Sequence, residues 1–90
     1  MMERHKHIST DGNIHKYTMA MTVMLTGIES HRLRRYEKFG LIAPQRSGGY
    51  QRLYSDNDIA SIKDIASLEH EGINLKGVNA ILAMRRGERK

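Results

Sequence analysis

The chain has 90 residues, with 15 Lys and Arg against 10 Asp and Glu, for a net charge of +5. That length fits one domain with a small core and leaves no room for a second core that encloses a small-molecule effector. The basic balance points to a polyanion, of which nucleic acid is the commonest. The absence of cysteine excludes disulfides, thiolate metal sites and a cysteine nucleophile, and no apolar run is long enough to span a membrane or to form the core of a signal peptide.

Residues 1–16 are polar, include Asp11-Gly12-Asn13 and show no helical period, so they are expected to be disordered. His5, His7 and His15 fall in this segment and read as solvated side chains rather than metal ligands. Tyr17-Thr18 reads as a short strand or a helix entry. A helix is expected over 19–25, with Met19, Thr22 and Val23 on one packing stripe. Met19, Met21 and Met24 read as adaptable filler rather than a ligand box. Gly27 ends this helix as a left-handed residue, and Ile28 plugs the turn. A second helix is expected over 30–39, capped by Ser30 or Glu29. Its inward stripe is Leu33 and Tyr36; Arg32, Arg35 and Lys38 lie away from it, and Arg34 lies at its border.

Gly40 stops the second helix and Pro44 forbids its continuation. Residues 45–54 read as a β-hairpin turning at Ser47-Gly48-Gly49. Ser55 and Asp58 have the spacing of a capping box, and a helix is expected from there to Glu71, burying Ile59, Ile62, Ile65, Ala66 and Leu68. Gly72 ends it. Asn74 caps a last helix over 75–84, with Leu75, Val78, Ile81 and Leu82 inward. The expected fold is mainly α: a winged helix-turn-helix of four helices with a small β-hairpin wing.

The charge is unevenly placed along these elements. Residues 32–52 hold six cations against Glu37 alone, residues 53–75 hold one cation against five acids, and residues 76–90 hold five cations against one acid. A basic block on the second helix and the hairpin indicates a directed surface. A helix-turn-helix places its second helix in the DNA major groove, where arginine matches guanine O6 and N7 or phosphate oxygens. The candidate contacts are His31, Arg32, Arg34, Arg35 and Tyr36 on that helix, and Arg46, Tyr50 and Arg52 on the hairpin. No paired carboxylates, phosphate-cradling glycine loop or metal-spaced His set points to an enzyme or to a cofactor.

Tyr17-Thr18-Met19-Ala20, Leu25-Thr26-Gly27-Ile28, Leu33-Arg34-Arg35-Tyr36-Glu37, Gly40-Leu41-Ile42, Arg52-Leu53-Tyr54-Ser55 and Asp58-Ile59 follow one another in the order and spacing of the MerR family. The chain resembles that family over residues 17–84, where the resemblance implies a winged helix-turn-helix DNA-binding domain, with a basic tail at 85–90. The family usually has a second Tyr where Arg35 stands. Glu71-Gly72-Ile73-Asn74-Leu75-Lys76-Gly77-Val78 resembles the branch containing the heat-shock repressor HspR and the nitrogen regulator GlnR. In the family this segment forms a second wing, which implies that Lys76 and its helix N-terminus lie near phosphate.

The resemblance implies a bacterial transcriptional regulator of double-stranded DNA, acting in the cytoplasm on the nucleoid without a cofactor. Family members normally continue into a long helix that pairs two protomers, and no heptads follow Met84, so a homodimer is expected on DNA or in a longer chain. The alternative is an excisionase-like architectural protein that uses a similar winged fold to bend DNA in recombination. A protein-interaction module that has lost DNA binding is disfavoured by the retained arginines.

Overall fold

The computed structural model describes residues 11–87. The expectations for His5 and His7, and for the last three residues of the basic tail, lie outside the described residues. The elements run β1 (His15–Thr18), α1 (Met19–Thr26), α2 (Ser30–Lys38), β2 (Gln45–Arg46), β3 (Arg52–Ser55), α3 (Asp56–His70) and α4 (Leu75–Arg85).

The sheet has three strands in the order β1-β3-β2, both pairings antiparallel. The hairpin of β2 and β3 matches the sequence reading, and β1 takes up the strand reading of Tyr17-Thr18 and extends it back to His15. Tyr17 pairs with Tyr54 and Thr18 with Leu53, with a bulge between His15 and Tyr17. Residues 15 and 16 are therefore ordered, contrary to the expectation for this segment, whose first ten residues lie outside the described ones. The turn ahead of β1 is held as well: the Asn57 backbone N–H donates to the Gly12 carbonyl at 3.0 Å, and the Asn57 side-chain amide donates to Asn13 Oδ1 at 2.7 Å. Tyr17 closes the same corner by donating its hydroxyl to Asp56 at 2.6 Å.

Helix α1 begins where Thr18 Oγ1 accepts from the Met21 N–H at 3.1 Å. It ends at Gly27, whose φ of +75° is left-handed and strained for any residue with a Cβ. The Thr26 hydroxyl ties the turn by accepting from the Ile28 N–H at 3.0 Å. Ile28 is buried there, as the plug expected from the sequence. The cap position of α2 is occupied by Glu29, with no side-chain cap bond, and Leu33 and Tyr36 are fully buried.

Helix α3 starts in a complete capping box: Ser55 Oγ accepts from the Asp58 N–H at 3.0 Å, and Asp58 Oδ2 accepts from the Ser55 N–H at 2.9 Å. Ile62, Ile65 and Leu68 form its buried stripe. Ile59 is only half-buried, contrary to expectation, and is not among the side chains packed against the core. Asn74 caps α4 by accepting from the Gly77 N–H at 2.9 Å. Gly77 has no room for a side chain, since a Cβ there would lie 2.8 Å from Ile73 Cγ2. Leu75 and Val78 are buried, while Ile81 and Leu82 pack partly exposed against the core.

The core gathers Ile28, Leu33, Tyr36, Ile42, Tyr54, Ile62, Ile65, Leu68, Leu75 and Val78 from every helix but α1, which packs Met19 and Val23 onto it. Two helices joined by a tight turn, followed by a hairpin, make this a winged helix-turn-helix, and α3 and α4 complete its core.

Candidate nucleic-acid interface

Burial of Leu33 and Tyr36 fixes the rotation of α2 and turns the opposite face outward. His31, Arg34, Arg35 and Lys38 lie on that face at helical spacing. With Glu37 and Arg52 they line an open groove between α2 and the hairpin. The groove thus holds four cations, one imidazole and one carboxylate.

The carboxylate organises the wing. Glu37 Oε1 accepts from Arg52 Nε at 2.6 Å, and Glu37 Oε2 accepts from Arg46 Nη2 at 3.0 Å. One α2 side chain thereby binds an arginine from each strand of the hairpin, so helix and wing present their charge together. Sequence reasoning noticed Glu37 only as the lone acid of a basic block; its role depends on strands that approach it from the hairpin. At the tip, Tyr50 is 87 % exposed and has φ +70°, the only positive φ outside glycine among the described residues. Holding a bulky residue there costs on the order of 1–3 kcal/mol.

Two candidate contacts prove to be turned away from the groove. Tyr36 is fully buried and donates its hydroxyl to Glu69 Oε1 at 2.6 Å, so it offers no surface to a ligand. Burial, reinforced by the Glu69 carboxylate, pushes the Tyr36 pKa up to about 12. Arg32 lies beside it, donating to Glu69 Oε1 at 3.0 Å and to the Tyr36 oxygen at 2.9 Å. Burial opposes the charge on Glu69, but the Tyr36 hydroxyl and the Arg32 guanidinium outweigh it and hold the carboxyl below its ordinary range. Arg32 and Tyr36 therefore join α2 to α3, and nothing within α2 signals this, because Glu69 is more than thirty residues away.

Arg35 stands between the two groups. It lines the groove, yet its Nη1 lies 3.4 Å from Glu69 Oε2. Arg34 approaches the Met19 sulfur at 4.0 Å. His31 Nδ1 lies 3.4 Å from Glu29 Oε1. Lys76 is exposed in the first turn of α4 and is not part of the groove lining. His15 belongs to β1, with Nε2 3.4 Å from Asp58 Oδ2. No helix of the described residues is long and apolar enough to cross a membrane.

Residues 17–85 match the MerR HTH family of regulatory proteins. The chain belongs to that family. It is 35 % identical over 69 residues to heat shock protein HspR of Streptomyces coelicolor, covering 76 % of this chain and 46 % of that protein. It is 29 % identical over 72 residues to the HTH-type transcriptional regulator GlnR of Bacillus anthracis, covering 80 % and 56 %. This MerR-family chain thus spans about half the length of these curated relatives. Among solved structures it is similar to HiNmlR, a MerR family regulator lacking the sensor domain and bound to promoter DNA. The TM-score is 0.73 at 26 % identity, over 81 % of this chain and 56 % of that one. A MerR family regulator from Bacillus cereus shares the fold, with a TM-score of 0.69 at 24 % identity over 82 % and 53 %.

Proposed function

We propose that the chain is the DNA-reading domain of a bacterial transcriptional regulator, binding double-stranded DNA sequence-specifically. The observation that carries this reading is the groove between α2 and the wing, where Arg34, Arg35, Lys38 and Arg52 converge. Helix α2 enters the major groove, while Arg46, Tyr50 and Arg52 meet phosphates on the flank. Lys76, at the start of α4, is assigned to phosphate beyond the other edge of the site. The likeness to a MerR family regulator bound to promoter DNA supports DNA as the partner. In this role the domain works in the cytoplasm, on the nucleoid, and needs no cofactor. Two copies occupy adjacent half-sites, paired by the DNA or by further chain.

The reading is tested by selecting bound sequences from a random duplex pool. The expected product is a site with two inverted half-sites. Failure to enrich any sequence, or a ladder of direct repeats of the kind an array-forming architectural protein would give, would contradict the regulator assignment.

A further inference from the structure

The groove face of α2 presents two arginines whose surroundings differ. Arg34 has the Met19 sulfur beside it at 4.0 Å and is exposed. Arg35 has Nη1, at one edge of its guanidinium, 3.4 Å from Glu69 Oε2; its side chain lines the groove and is still 58 % exposed. The Glu69 side chain is 18 % exposed and is itself held by the Tyr36 hydroxyl at 2.6 Å and Arg32 Nη2 at 3.0 Å. Both donors hold Oε1, so the carboxylate behind Arg35 is anchored by one oxygen while Oε2 faces Arg35. An arginine has five donors in a planar fork. One held along one edge keeps the rest of the fork open at a set orientation, and reading guanine O6 and N7 together requires that orientation.

We propose that Glu69 is a positioning residue that buttresses Arg35 for bidentate contact with a guanine, while Arg34 serves phosphates. The proposal rests on the DNA-binding reading above. It gives Glu69 two effects of opposite sign. Ordering Arg35 in advance reduces the side-chain freedom lost on binding, which favours the correct base. The negative charge beside a phosphate-binding surface opposes association with every duplex.

The test uses the full 90-residue chain, the best duplex from selection, the same duplex with 7-deazaguanine at each guanine in turn, and a random duplex. Deazaguanine keeps base pairing and removes the N7 acceptor. Wild type should lose about tenfold in affinity at one guanine of each half-site. Arg35→Ala should abolish that discrimination, and Arg34→Ala should preserve it. Glu69→Gln keeps the shape and removes the charge; it should lose most of the discrimination while binding the random duplex more tightly than wild type. A purely structural role would instead weaken both duplexes together. Wild-type discrimination in Glu69→Gln, or a loss of it in Arg34→Ala but not in Arg35→Ala, would overturn the proposal. If Glu69→Gln does not fold, Arg35→Lys decides: it keeps the charge but lacks the fork, so retained discrimination would overturn the proposal. Absence of wild-type binding to any duplex would instead remove the DNA-binding reading on which all of this stands.

Discussion

Helix α1, Met19–Thr26, carries no charged side chain, whereas α2, Ser30–Lys38, has five charged residues and a histidine in nine positions. The two lie side by side across a three-residue turn and handle their polar groups in opposite ways. In α1 the threonines bond within the helix: the Thr22 hydroxyl donates to the Thr18 carbonyl at 2.9 Å, and Thr26 to the Thr22 carbonyl at 2.8 Å. In α2 the side chains reach other elements: Glu37 to the wing, and Arg32, Arg35 and Tyr36 to α3. Helix α1 thus supports the fold from within, while α2 is held by its neighbours so that its remaining donors stay aimed outward. Its two acid contacts do different work. Glu37 couples α2 to the wing, and Glu69 ties α2 to α3.

Three substitutions probe the two helices and the wing. The largest effect is expected at the anchor of α2. Leu33 is fully buried, so Leu33→Ala should cost about 2–5 kcal/mol in urea unfolding, enough to threaten a domain of this size. A loss below about 1 kcal/mol would mean that α2 is not fixed by its apolar stripe. A smaller effect is expected from Arg52→Ala. It should weaken all duplex sequences about equally and reduce the steepness of the salt dependence by about one, because a phosphate contact carries little sequence information. A change in base preference would instead place Arg52 on a base edge. The smallest effect is expected on α1, where Met24 is 83 % exposed. Met24→Ala should shift stability by no more than about 0.5 kcal/mol in either direction. A larger loss in solution would reveal that this apolar face is covered.

What could be read from the sequence follows the range of the interactions involved. Gly27, Ile28, Leu33 and Tyr36 lie within ten residues of one another, and their spacing alone gives the helix-turn-helix. The capping boundaries at Ser55 and Asn74 are equally local. β1 was only half legible: Tyr17-Thr18 reads as a strand or a helix entry, but His15-Lys16 adds no apolar alternation, and the partner β3 lies more than thirty residues along the chain. The stripe of Met19, Thr22 and Val23 was legible from its spacing and faces the core, while Met21 and Met24, read only as adaptable filler, lie off that stripe and are exposed. The groove was largely legible, since four of the arginines and lysines in the basic block line it. The withdrawal of Arg32 and Tyr36 was not, because a helical stripe fixes which side chains leave the core but does not identify a distant carboxylate waiting for them.

The central claim is that the face shared by α2 and the wing is an electrostatic surface for duplex DNA. The most direct test is fluorescence anisotropy of a labelled duplex titrated with the chain over a range of salt concentrations. If roughly six basic groups of one protomer neutralise phosphates, log K should fall against log salt with a slope near −5. An affinity indifferent to salt, or no binding to any duplex at low salt, would contradict the account.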